Sequence, residues 1–306
     1  MAMAPGCSRR TVLTRLAAPV WAGAAAAGGV SAWAMPAQAS EQPQAQEQPA
    51  VQVAAVGGLV LCGIWPHVAD AASRALGLPV QTVTAAPKEG VVPAFARGDA
   101  QLLLIHASDE AMSLEASGLA AAARVWGWNQ HVIAGPAQDP AGVRQALNGQ
   151  DALRRIADTR SPFIALRDPG SYTVVQRLWR QAGIRPDARW LRADTSPRPQ
   201  AVLQLAAELQ AYAVVGHIPL HFGKMGAPGV ELLLQGDPQM RRPYVVLTPG
   251  PRHPATAPQR AAAQQLADYL LSVAGQQALA QANHAAQGPW VFARDSTPVW
   301  TAADER

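Results

Sequence analysis

From about Val53 onward, short apolar runs alternate with stretches whose apolar residues recur at helical spacing, and this alternation constrains the fold more than any single motif. The runs at 58–62, 80–84 and 101–105 read as strands. The stretches at 68–76, through Phe95 and at 110–117 read as helices, the first stopped by Gly77. Strands alternating with helices of this length form right-handed βαβ units around a mostly parallel sheet. A second set follows Trp128, with strand patterns at 131–134, 163–166 and 212–215 and helical patterns at 149–158, 173–181 and 199–209. An extended run at 243–248 is halted by Pro249-Gly250-Pro251. The helical stretches after it, 257–272 and 275–282, have no strands of their own and are expected to return to the first set. The spacing predicts an α/β protein of two lobes, each an open, mostly parallel sheet with helices on both faces, joined by two crossing strands. Lobe 1 takes 53–128 plus 246–295, lobe 2 takes 129–245, and 296–306 is a tail. Such sheets place ligands at the carboxyl ends of their strands, so a cleft is expected there.

The first 39 residues follow a different pattern. Ser8-Arg9-Arg10-Thr11-Val12-Leu13 opens an Ala/Gly-rich run that closes at Ala37-Gln38-Ala39. A basic start, an apolar middle and small residues at a cut site are the parts of an export signal. The paired arginines point to the twin-arginine route, although Val and Thr stand where that signal prefers Phe and Lys. A membrane anchor is the alternative reading, but the run is weakly apolar, bracketed by Pro19 and Pro36, and short of the ~20 strongly apolar residues a span needs. Residues 40–52 are Gln, Glu, Pro and Ala without periodicity and are expected to be a flexible leader. The mature protein is expected to be soluble and periplasmic.

Removal of the signal leaves 22 basic and 21 acidic side chains, a net charge of about +1, so the alkaline character of the full chain resides mostly in the signal. No block of Lys and Arg interleaved with aromatics remains, which argues against a nucleic-acid or polybasic membrane role. Of the two cysteines only Cys62 lies outside the signal, so stability must come from the core and not from an internal disulfide.

Several ordered pieces of the chain resemble one family. Asn129-Gln-His-Val-Ile-Ala-Gly-Pro136 with Asp139-Pro-Ala-Gly-Val143, Ser161-Pro-Phe163 leading to Arg167-Asp168, and Leu178-Trp-Arg-Gln-Ala-Gly-Ile184 are similar to segments of the periplasmic tungstate-binding proteins of ABC transporters. Ala211-Tyr212, Pro243-Tyr244 and the junction at Tyr269-Leu-Leu-Ser272 continue the likeness, which spans roughly 59–292. The resemblance implies a two-lobed fold of the type II periplasmic solute-binding superfamily, a tungstate- or molybdate-like oxyanion as ligand, and an inner-membrane ABC permease as partner. It implies a monomer with no cofactor. The departures fall on the expected site. Where the family carries a Thr/Ser run after its first strand, this chain is read as Cys62-Gly63-Ile64-Trp65-Pro66-His67, and Val214-Val215-Gly216-His217 replaces a Thr-Asp-Arg-like stretch.

The loop from Arg167 to Thr173 is the strongest local candidate. A helix starting near Tyr172 would aim its first N–H groups into the cleft, with Ser171 beside the N-cap, Arg167 as a fixed cation and Asp168 orienting it. Alternatively, Ser171 only caps the helix while Arg167 and Asp168 pair at the surface. In the other lobe Ile64, Trp65 and His67 would face the ligand, although Trp65 is equally readable as core. His106 at a strand end matches a family His, and Tyr212 and Tyr244 would present hydroxyls from the inner edges. His217 and His221 are four apart, but Pro219 between them argues against a helix, and no further ligand stands nearby to complete a metal site.

No nucleophile elbow, zinc-protease helix, phosphate-binding loop or dinucleotide fingerprint is present in the sequence. The expected function is capture of a small anionic or polar solute by lobe closure, with delivery to the permease. A ligand-divergent accessory or sensor protein is the alternative. An enzyme on the same frame is a third reading.

Overall fold

The strand β1 (Val51–Val56) is apolar at five of six positions and buried at the same five. A near-continuous apolar run suits a central strand covered on both faces. β1 is followed by two helices, the short α1 (Gly57–Leu61) and α2 (Ile64–Leu76), and pairs in parallel with β2 (Val80–Ala86). After α3 (Lys88–Arg97) the chain enters β3 (Leu102–His106), parallel to β1 on its other side. A computed structural model describes residues 50–165 and 169–296. The export-signal region 1–39, the leader to residue 49, Arg167 and Asp168, and the tail beyond residue 296 lie outside the described residues.

The first strand therefore precedes its expected position. Residues 58–62, expected as a strand, form most of α1 and its C-terminal cap, and the leader expected to reach residue 52 gives way to strand at Val51. The physical reason is the ladder: Val51 pairs with Val80 and is 1% exposed, whereas Gly57-Gly58 places two residues of poor strand propensity directly after Val56.

Past α4 (Asp109–Ala116) comes β4 (Arg124–Pro136), a strand of 13 residues. The chain then runs through α5 (Gly149–Asp158), β5 (Phe163–Ala165), α6 (Pro169–Ala182), β6 (Leu191–Ala193) and α7 (Val202–Leu209). It continues with β7 (Ala213–Gly216), α8 (His217–His221), β8 (Val230–Leu234) and β9 (Arg241–Leu247). The N-terminal half of β4 pairs antiparallel with β9, and its C-terminal half pairs antiparallel with β7 and β8. β3 also pairs antiparallel with β9. The class is α/β as expected, but the sheet is mixed, because the strands that cross between its halves run against their neighbours.

Two hydrophobic cores flank β4. The first gathers β1, β3, β9 and α2, together with Leu266 and Leu270 of α9 (Ala257–Leu271) and Leu279 of α10 (Val273–Ala285). The second gathers the end of β4 with α5, α6, α7 and β7, around Phe163, Trp179 and Trp190. Those three rings meet edge to face at centroid distances of 5.7, 6.5 and 5.9 Å, the geometry aromatic quadrupoles favour. Met240 belongs to the second core and Tyr244 to the first, so the chain recrosses before residue 246. The last strand, β10 (Phe292–Ala293), closes the edge of β4.

Candidate functional site

His106, the last residue of β3, pairs directly with Tyr244 of β9, and Arg242 of β9 pairs with Asn129 of β4. Side chains two apart on a strand share a face, which aligns Tyr244 with Arg242 and Asn129 with His131. These five residues line a cavity of about 330 Å³. Lys88 at the start of α3, Ser108 at the N-cap of α4 and Ser171 in the first turn of α6 add polar groups. Val215 of β7, with Ile218 and Pro219 of α8, brings apolar surface from the other side of β4. The cavity thus draws on strand ends and helix starts on both sides of the long strand.

The polar wall is internally wired. Asn129 Nδ2 donates to His106 Nε2 at 3.1 Å, and the His106 ring stacks on Tyr244 with centroids 4.4 Å apart. Burial, and then the charges of Arg242, His131 and Lys88, hold the His106 pKa well below its ordinary value. The ring is therefore neutral and can accept the amide proton. Burial also raises the Tyr244 phenol, which stays protonated and able to donate. Arg242 donates from Nε and Nη2 to the Ala107 carbonyl at 3.3 and 3.1 Å. Lys88 Nζ lies 2.8 Å from Glu110. Burial works to raise the Glu110 pKa, but the contact with Lys88 leads the opposing effects that bring the carboxyl down to about 2.

Of the expected site residues, His106, Ser171 and Tyr244 line this cavity. Ile64 and Trp65 do not: both are fully buried in α2, and the indole N–H donates to Thr82 Oγ1 at 2.8 Å. His67 is exposed on the same helix and its Nδ1 lies 2.8 Å from the Gly63 carbonyl. The segment 64–67 lies away from this cavity because the strand ends at Val56, not at Cys62. Tyr172 and Thr173 line a separate groove of about 500 Å³, which shares Lys88, Ser108 and Arg242 with the cavity. Tyr212 is interior, not a cleft hydroxyl. Its OH accepts from the Ala141 N–H at 2.8 Å and donates to Asp139 Oδ1 at 2.9 Å, tying a loop to the second core. Tyr212→Phe should therefore lower the unfolding free energy by about 1–2 kcal/mol in urea titrations, through the orphaned Ala141 N–H, with ligand affinity unchanged.

Lys88, Asn129, His131 and Arg242 were not singled out from sequence as ligand-facing. The signal for Arg242 was available, since it sits two residues before Tyr244 in an extended run. The segment His217–His221 is helical after all: Pro219 lies in the first turn, where its missing N–H costs no intrahelical bond. Both histidine rings pack on Trp290, at 5.6 and 4.4 Å. Among the described residues no group of three His, Cys, Asp or Glu side chains could hold a metal ion. Among the same residues no helix is long and apolar enough to cross a membrane.

Residues 51–282 match the family of bacterial extracellular solute-binding proteins. The chain belongs to that family. A protein of Haloferax volcanii named for anion binding in an ABC transporter is 28% identical over 208 residues, which is 64% of this chain and 57% of that protein. The tungstate-binding protein TupA of Peptoclostridium acidaminophilum is 25% identical over 157 residues, covering 50% of this chain and 54% of the relative. The chain thus spans just over half the length of these curated relatives. A crystal structure described as the tungstate ABC transporter from Geobacter sulfurreducens superimposes with a TM-score of 0.60 at 21% identity, over 76% of this chain and 97% of that one. At that identity the likeness speaks for the fold. The cavity is lined by residues of both cores, among them Tyr244 of the first and Val215 of the second.

Proposed function

We propose that this chain is an exported, periplasmic component of an ABC transporter that captures a small anionic solute between its two cores and presents the closed form to an inner-membrane permease. The observation that carries the reading is the placement of Lys88 and Arg242 on one cavity wall, together with the amide of Asn129. The starts of α3, α4 and α6 open onto the same space, and helix N-termini favour negative charge. Family membership and the names of the two curated relatives support the same reading. Binding proceeds by closure of one core over the other: contacts made to both at once shift the population toward the closed state. No covalent step is involved, and a monomer suffices.

The test is a thermal-shift and calorimetric screen of the folded protein against inorganic oxyanions, organic carboxylates and neutral solutes of similar size. Saturation at a hundredfold over Kd should add about 2.7 kcal/mol of stability with anions and none with neutral solutes. A neutral sugar or uncharged amide that binds in preference to every anion would sink the proposal. One feature favours a second reading, a ligand-divergent accessory or sensor protein. The residues directly after β1, Gly57-Gly58, carry no hydroxyl, and neither does Cys62-Gly63-Ile64-Trp65, the segment read against the resembled family's Thr/Ser run. That reading gains if no small solute binds while the protein still associates with a membrane permease.

A further inference from the structure

The described lining of the cavity is divided by chemistry. On one side its polar groups stand in neighbouring pairs: His106 bonds Asn129, Arg242 bonds the carbonyl beside His106, and Lys88 pairs with Glu110. Its apolar groups stand on the other. Met225 is tied to Pro219 by a backbone hydrogen bond of 3.0 Å, and Ile218 lies beside Gly58. A Cβ built on Gly58 would sit 3.9 Å from Ile218 Cγ2 and 3.8 Å from the Tyr244 hydroxyl, ordinary contact distances, so the glycine leaves room there for one further carbon. Tyr244 joins the two, stacking on His106 on one side and reaching Gly58 on the other. The acid among the lining residues, Glu89, is exposed.

A tetrahedral metal oxyanion carries charge on every side. Enclosed here it would press part of its oxygen surface against Val215, Ile218 and Met225, whose side chains carry no donor, and a buried unsatisfied charged acceptor is costly. Closure of the cavity would shrink its volume without changing the composition of these walls. A molecule with a carboxylate at one end and an apolar body at the other meets both sides. We propose that the ligand is a small organic monocarboxylate, its carboxylate held by Arg242, Lys88 and Asn129 and its hydrocarbon body against Gly58, Ile218 and Met225. This proposal rests on the anion-capture reading and narrows it to one class.

Calorimetry on the folded protein with acetate, butanoate and hexanoate, and with tungstate and molybdate, distinguishes the outcomes. The expected result is an affinity that rises about fourfold per added methylene, and hexanoate bound at least tenfold more tightly than tungstate. Gly58→Ala, whose added methyl meets Ile218 and Tyr244 at ordinary contact distance and narrows the apolar end, should flatten the chain-length dependence. Its melting temperature would verify that the variant is folded. Tungstate or molybdate binding as tightly as hexanoate overturns the proposal and leaves anion capture standing, as does a flat affinity from acetate to hexanoate. Failure of every anion to bind overturns both.

Discussion

Arg242→Ala should weaken anion binding by about a hundredfold. A hydrogen bond to a charged group is worth up to about 3 kcal/mol when its partner stays buried, which corresponds to roughly that factor. Arg242 is placed for the role by its strand: it faces the cavity from β9 opposite Asn129, and its contacts to the Ala107 carbonyl fix the guanidinium plane beside His106. Arg242→Lys should recover only part of the loss, because an ammonium keeps the charge but not the planar fork that grips two oxygens. Lys88→Ala should cost less, since Lys88 is already committed to Glu110. Calorimetry with one bound anion, alongside unfolding curves for each variant, separates lost contact from lost fold. Equal affinity in wild type and Arg242→Ala would remove this residue from the site.

The second large effect is acid sensitivity. Three histidines have pKa values lowered chiefly by burial: His106, His217 and His253. Two of them also use a ring nitrogen as an acceptor. His253 Nδ1 takes the Ala255 N–H at 3.0 Å while Nε2 lies 2.8 Å from the Phe95 carbonyl, and His106 Nε2 takes the Asn129 amide. Each is therefore held neutral in the folded state. A folded pKa below the unfolded value of about 6.5 means that the unfolded chain binds more protons between the two. The stabilisation is complete above pH 6.5 and is lost as pH falls. Each group adds to the slope in its own window, to a limit of about 1.4 kcal/mol per pH unit for one proton. Urea unfolding between pH 7.5 and 5 should show this slope, and His253→Gln should remove one proton from it. Carboxyls such as Glu110, down at about 2, act with the same sign but only at lower pH. A stability that stays level from pH 7.5 to 5 would contradict the neutral assignments.

Much of the architecture was readable from periodicity because it is carried by apolar runs such as Leu102–His106 and by glycine stops such as Gly77, which has φ 66 at the end of α2. Burial on both faces leaves a continuous signal, and a left-handed cap leaves a glycine. The start of β1 was misplaced because Gly58–Cys62 is as apolar as the strand before it, and periodicity over five residues does not separate a buried strand from a helix turn. That one displacement sets Ile64, Trp65 and His67 away from the cavity. His106 stands at a strand end, Ser171 at a helix start and Tyr244 in the middle of β9, and all three line the cavity. Lys88, Asn129 and Arg242 were missed for a different reason. Each is an ordinary polar residue whose role depends on which strand lies opposite, and cross-strand register such as Asn129 against Arg242 is a tertiary fact that local sequence does not contain.

The long strand β4 hydrogen-bonds along one part of its length to β9 and β10 and along the other to β7 and β8. Its ladder is irregular at two places, between Val125 and Gly127 and between Ile133 and Ala134, and the segment between them is the stretch that passes from one core to the other. Neither half can be excised without stripping backbone partners from the other. Recombination among relatives by exchanging whole halves is thus closed to this architecture.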